Sequence, residues 1–228
     1  MPNHGFASPY RGWPRLAAES RHAMQRITLP WLLAILLAGC TEPPGPVEKK
    51  AAEPPKPPEA VTGRFAFHHM YPVARAWLAD VQVMQIASMN IPEVKSEAGK
   101  YGAWRARFVS ESRGRAKTYT YSVVESPGNT HKGVFAGHEE SYSGPGGLMR
   151  PFLIAALKVD SDAAFETAMK KGEAYAKKNP AKPISFLLEL SNRFPNPAWR
   201  VIWGESVSMS NYSIYTDAST GEYLQTMR

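Results

Sequence analysis

The 228-residue chain contains one cysteine, Cys40, directly behind an apolar run at residues 29–38. A single thiol closes no intramolecular disulfide, so whatever folds must rest on an ordinary hydrophobic core. The run is about ten residues long, against the roughly 20 that a bilayer-spanning helix needs. It follows Arg21 and Arg26, and a basic stretch, a short apolar stretch and then small residues is the profile of a secretory signal rather than an anchor helix. The small residues Ala38 and Gly39 let an extended backbone enter a peptidase groove, and with Leu37 they mark the cut that separates residues 1–39 from the part that is kept. Residues 1–23 have no apolar periodicity, so Met24 is an alternative start and the extension before it has no fold of its own.

The order Leu37-Ala38-Gly39-Cys40 resembles a bacterial lipobox. The resemblance implies a chain cut before Cys40, a diacylated thiol, an acylated new amine, and a partner in the lipid bilayer reached through those acyl chains. Thr41, rather than Asp, follows the cysteine, which in a Gram-negative host implies the periplasmic face of the outer membrane. Residues 41–60 hold seven prolines and hardly a large apolar side chain, so they bury too little to offset ordering entropy and read as a disordered tether. If largely polyproline-like, these 20 residues reach on the order of 50 to 60 Å. Residues 40–60 thus form the lipidated cysteine and its tether.

The formal charge of +7 belongs partly to the precursor: four of 27 basic and one of 20 acidic residues precede the cut, which leaves 23 against 19, or +4. Lys170, Lys171, Lys177 and Lys178 lie on a predicted helix and read more readily as a solvated face than as a contact for anionic lipid or an acidic partner. No clustered arginines with aromatic platforms argue for nucleic acid.

Residues 61–228 are long enough for one domain or two similar halves. Spacing of Val73, Ala76, Trp77, Val81 and Met84 predicts a helix over 72–89, with these side chains as core, ending before Pro92. Alternation predicts strands at 103–112 and 117–124, joined as a hairpin through Arg113-Gly114-Arg115-Ala116, with shorter strands at 132–136 and 152–159. The pattern then restarts. Asp160-Ser161 caps a helix over 163–178, and strands are predicted at 184–190, 199–205, 212–217 and 223–227. Ala198-Trp199-Arg200 repeats Ala103-Trp104-Arg105 after 95 residues (199 against 104), each leading to a tyrosine-rich strand. The reading is an α+β fold, helices packed on antiparallel sheet, in two halves at 61–159 and 160–228.

In the last hairpin Asp217 can accept from the turn amides and Gly221 can take the left-handed conformation, so both read as structural turn residues. Behind the 163–178 helix and the tyrosine strands, the Asp-Ala-x-Thr-Gly turn at 217–221 resembles the C-terminal end of a PepSY domain, over residues 159–228, with a degenerate copy suggested in 72–135. The resemblance implies a helix across an antiparallel sheet and a role in binding or restraining other envelope proteins, peptidases among them. It brings no catalytic residues. The Pro-rich approach Phe194-Pro195-Asn196-Pro197 departs from the pattern and puts the boundary in question.

Against an enzyme stand the mature histidines His68, His69, His131 and His138, none at HExxH spacing, and the absence of a CxxC or a GxSxG elbow. His138 with Glu139 and Glu140 reads as a solvated loop rather than a cation site. The expectation is therefore a non-enzymatic envelope lipoprotein without metal or cofactor. A structural envelope lipoprotein is the alternative and a hydrolase the more distant one.

Overall fold

The computed structural model describes residues 57–147 and 149–228. In chain order these form β1 (Val61–Thr62), α1 (Gly63–Trp77), β2 (Gln82–Met89), β3 (Lys100–Tyr101), β4 (Ala103–Ser110), β5 (Arg115–Ser122), β6 (Gly133–Ser141) and β7 (Met149–Arg150). A 3-10 turn (Ile154–Ala156) leads to α2 (Ser161–Lys178), β8 (Ile184–Ser191), β9 (Ala198–Trp203), β10 (Ser213–Asp217) and β11 (Tyr223–Met227). The fold is mixed α and β and strand-dominated, with two helices and a large antiparallel sheet. Strand order is β11-β10-β9-β8-β2-β4-β5-β6, with β7 on β8 and β1 paired to β3.

One order, a helix followed by four strands of the large sheet, therefore occurs twice, and the first strands of the two runs meet at the centre. β2 and β8 share three register pairs, Gln85 with Glu189, Ile86 with Leu188 and Ala87 with Leu187. Trp104 faces Ser88 and Trp199 faces Leu188, so β2 maps onto β8 at an offset of 100 and the Ala87–Leu187 pair sits on a local two-fold. One row then crosses eight strands: Phe135, Thr120, Arg105, Ala87, Leu187, Arg200, Tyr215, Gln225. The repeated tripeptide has a physical reading here. Its tryptophan enters the main core, while its alanine and arginine share the opposite face, the alanine buried there and the arginine beside the axis.

Both tryptophans are fully buried and cross edge to face, with ring centres 6.1 Å apart. Each indole N–H is satisfied the same way: Trp104 Nε1 donates to the Val61 carbonyl and Trp199 Nε1 to the Val159 carbonyl, both at 2.9 Å. Val61 and Val159, 98 residues apart, each lie two positions before a helix whose N-cap is Thr62 or Asp160. The helix starts also cross-brace. Asp160 Oδ1 accepts from its own Ser161 N–H at 2.7 Å and from Arg64 N–H at 2.8 Å, while Ser161 Oγ accepts from Gly63 N–H at 2.8 Å and donates to the Gly99 carbonyl at 2.7 Å. Two helix N-termini, each an end of positive dipole, thus share one carboxylate.

Ala66, Phe67, Met70 and Ala74 of α1 and Ala164 and Ala168 of α2 share a single core with Trp104, Phe108, Trp199, Val201, Trp203 and Ile214. All these elements lie within 57–228, so this stretch carries a core of its own, as an independently folding domain requires.

The predicted helix over 72–89 is not formed as such. Its first residues are the end of α1, which starts at Gly63 and runs through Pro72, and its last are β2. Asp80 turns the chain between them: its carboxylate accepts from the hydroxyls of Ser110 at 2.7 Å and Ser112 at 2.6 Å. These bonds, chiefly that from Ser112, hold Asp80 below the usual carboxylate range. β2 is flanked on both sides and buried on both faces, and a bulge between Val83 and Gln85 shifts its register, so its apolar residues mimic helical spacing. Val81 and Met84 are core, but Val73 and Ala76 are exposed and Trp77 is half-buried. Of the predicted strand at 152–159, only Phe152 bridges, to Val83. The predicted hairpin is β4–β5; the strand predicted at 132–136 is β6, which runs on to Ser141, and the four strands after α2 fall where alternation puts them, within two residues.

Candidate protein-binding surface

Four side chains of α1 recur every fourth residue along its outer side: Phe65, His69, Val73 and Trp77. This spacing aligns them in one stripe. Phe65 is 47 % and Val73 42 % exposed. His69 lies between two aromatic rings, 4.8 Å from Phe65 and stacked at 4.9 Å and 15° on Tyr121 of β5. Burial pushes the Tyr121 hydroxyl up from its ordinary range. At the far end Trp77 Nε1 donates to Glu139 Oε2 at 2.8 Å, and the Lys117 ammonium sits 5.3 Å over the indole ring.

Beside this stripe runs β6, the last strand of the sheet order, paired only with β5 among the described residues. It is nine residues long and carries Phe135, 42 % exposed, against the His131 ring at 4.6 Å. Glu139 and Glu140 are held by Arg115 at 3.3 Å and Arg107 at 2.7 Å. A free strand edge next to half-exposed aromatic and aliphatic side chains offers both backbone partners and apolar contact to an incoming protein segment. His138-Glu139-Glu140 is not the solvated loop the sequence suggests but part of β6, its carboxylates engaged with Arg107, Arg115 and Trp77, and among the described residues no group of three His, Cys, Asp or Glu converges.

The C-terminal turn is built as a local structure. Asp217 Oδ1 accepts from the amides of Ser219 at 2.7 Å and Thr220 at 3.0 Å, Gly221 N–H returns to the Asp217 carbonyl at 2.9 Å, and Gly221 has φ +81°. The Pro-rich approach braces it, because Asn196 Nδ2 donates to Asp217 Oδ2 at 3.1 Å and the Pro197 carbonyl accepts from Ala218. A cleft of about 880 Å³ lies where β2 and β8 part, floored by Tyr101, Phe186 and Phe165 and rimmed by Lys95, Lys182 and Glu205. Its backbone is already satisfied: Ser88 Oγ takes the Phe186 N–H at 2.9 Å, and the Tyr101 hydroxyl, pushed up by burial, donates to the Ile184 carbonyl.

Leu37, Ala38, Gly39 and Cys40 lie outside the described residues. The α1 stripe escaped sequence reading although its signal was present: four-residue spacing from Phe65 to Trp77, continuous across Pro72. No protein-family model matches the chain, and no curated protein and no solved structure matches it either.

Proposed function

We propose that this chain is a membrane-anchored envelope lipoprotein, held by acyl chains on Cys40, whose PepSY-like helix-plus-sheet domain, in two halves, binds or restrains another protein, a peptidase being one candidate class. The observation that carries the binding role is the α1 stripe: large apolar side chains left half-exposed beside an unpaired strand edge. Apolar exposure of that kind costs solubility and is typical of a surface that another protein covers. The repeated indole-to-valine bonds and the two helix caps support reading the fold as two copies of one module. Among the described residues no helix is long and apolar enough to cross a membrane.

Two measurements test this. Immobilised residues 57–228 should capture a stoichiometric partner from envelope extract, and Phe65→Ser with Val73→Lys should lose it while lowering stability by only about 1 to 2 kcal/mol, since roughly half of each side chain is already in water. Equal capture by the double variant would remove the binding surface from the proposal. Cys40→Ser should abolish acyl labelling and leave uncleaved precursor, since two or three acyl chains, at about 0.8 kcal/mol per buried methylene, supply the anchoring. Labelling and cleavage that persist in Cys40→Ser would exclude the anchor.

A further inference from the structure

The C-terminal end of α2 gathers cations from three separate segments around one pair of stacked tyrosines. Tyr175 and Tyr212 lie 3.8 Å apart with their rings 7° from parallel. An opening of about 510 Å³ beside them is lined by Lys171 and Lys178 of α2 and by Arg228 after β11, and its lining includes no Asp or Glu. Lys182, from the turn before β8, donates to the Tyr175 hydroxyl at 2.8 Å and to Asn211 Oδ1 at 3.2 Å. The last-turn lysines have a local reason to be there, since Lys177 and Lys178 oppose the negative end of the helix dipole. Lys177 is moreover tied to Glu173 at 2.6 Å. That reason does not extend to Lys171, two turns earlier, which lies 5.2 Å over the Tyr223 ring, or to Lys182 and Arg228, which arrive from the turn after the helix and from just past the end of β11.

The place of this patch also matters. The Gly63 N–H rests on Ser161 Oγ at 2.8 Å, so the start of α1 lies beside the N-terminus of α2, at the other end of that helix from the basic cluster. An 18-residue helix is about 27 Å long. On the lipid-anchor reading, the 16 residues between Cys40 and Pro57, at no more than about 3.5 Å each, span up to about 55 Å, longer than the helix, so the far end of α2 is within reach of the bilayer that holds Cys40.

We propose that this basic end rests on an anionic bilayer, its lysines and arginine meeting the phosphates of lipid headgroups. The inference rests on the lipid-anchor reading, which supplies the bilayer. The test uses residues 57–228 without acyl chains. The fragment should sediment with vesicles of about 30 % phosphatidylglycerol in phosphatidylcholine, not with phosphatidylcholine alone, and should come off as salt rises well above about 0.15 M. Lys171→Gln with Lys178→Gln should weaken binding roughly 25-fold, about fivefold per cation, with a melting temperature only a few degrees lower, the cost of the dipole and ring contacts. Lys95→Gln, which removes a cation paired with Glu97 on the cleft rim, should leave binding as it was. Equal binding to both vesicles, no binding to either, or an equal loss in Lys95→Gln overturns the proposal. So does saturable binding of inorganic phosphate without vesicle binding, which would mark a small-anion site. Acyl labelling of Cys40 is measured independently, so either reading can fail without the other.

Discussion

The two helices meet the same sheet from equivalent positions, and they agree on the side that faces it. At an offset of 98 residues Ala66 answers to Ala164, Met70 to Ala168 and Ala74 to Gly172, all buried. On the outer side they part: Phe65 answers to Ala163 and Val73 to Lys171. Close packing explains the agreement. A Cβ on Gly172 would lie 3.0 Å from Ile214 Cδ1 and 3.1 Å from Trp203 Cη2, and Trp203 stands where the first half has the smaller Phe108. Packing against the sheet leaves room for only a few side chains, whereas the water-facing side is free to diverge. One half has used that freedom for an apolar stripe, the other for a basic end.

The equivalence can be broken most visibly at its centre. Trp104→Ala and Trp199→Ala should each cost about 3 to 5 kcal/mol, a large part of the roughly 5 to 15 kcal/mol a domain possesses. Urea unfolding of residues 57–228 measures both. A heavy loss at one position with an unshifted midpoint at the other would mean the two indoles are not counterparts.

A smaller effect tests the asymmetry between Gly63 and Ser161. A Cβ on Gly63 would lie 2.7 Å from Trp199 Cη2 and 3.1 Å from Trp104, both rigid rings, so Gly63→Ala should cost about 1 to 3 kcal/mol through overpacking. Ser161→Ala should cost a similar amount, about 1 to 3 kcal/mol, for a different reason: a buried N–H loses its acceptor and a buried carbonyl its donor. Thermal melts that left Gly63→Ala as stable as the parent would show that the two rings yield more readily than their close approach implies.

The smallest effect concerns Glu189, whose counterpart at the offset of 100 is Met89. Burial pushes its carboxyl above the usual carboxylate range, with Arg200 and Arg193 partly opposing. A raised folded pKa contributes stability below the unfolded value of about 4.3 and loses it as pH rises through the folded value. Glu189→Met should therefore stabilise the fold at neutral pH, by about a few tenths of a kcal/mol at a partly exposed site, and the advantage should disappear near pH 4. Melting curves at both pH values decide it; an advantage that grew on acidification would reverse the sign of the argument.

Alternation sufficed where strands have one wet face, as in the hairpin Trp104 and Tyr119 belong to, and capping sufficed for α2, where Asp160 bonds the first turn. Both signals are local. β2 defeats sequence reading because a bulge breaks its alternation and because both its faces are buried by distant parts of the chain, Val83 and Ile86 in the main core and Met84 and Ala87 in small clusters elsewhere. Pro72 did the same for α1 by suggesting a helix start in what is a helix interior. The tripeptide repeat was visible, but the meeting of its two tryptophans across an axis depends on contacts nearly a hundred residues apart. The outer stripe of α1 was missed with its helix, while Asp217 and Gly221 were legible because a turn closes within five residues.

The cross-bracing at the helix starts bears on how such a chain could be assembled. Ser161 and Asp160 accept the first amides of α1, so a first half alone would leave Gly63 and Arg64 with donors and no acceptor. Two pieces divided in the glycine-rich stretch between Gly144 and Gly147 would each keep a helix and four strands of the large sheet. Such halves are suited to fragment complementation, each inert alone and folding only on the other. The covalent link between them then acts mainly by raising effective concentration, in the manner of two subunits of a symmetric dimer fused into one polypeptide.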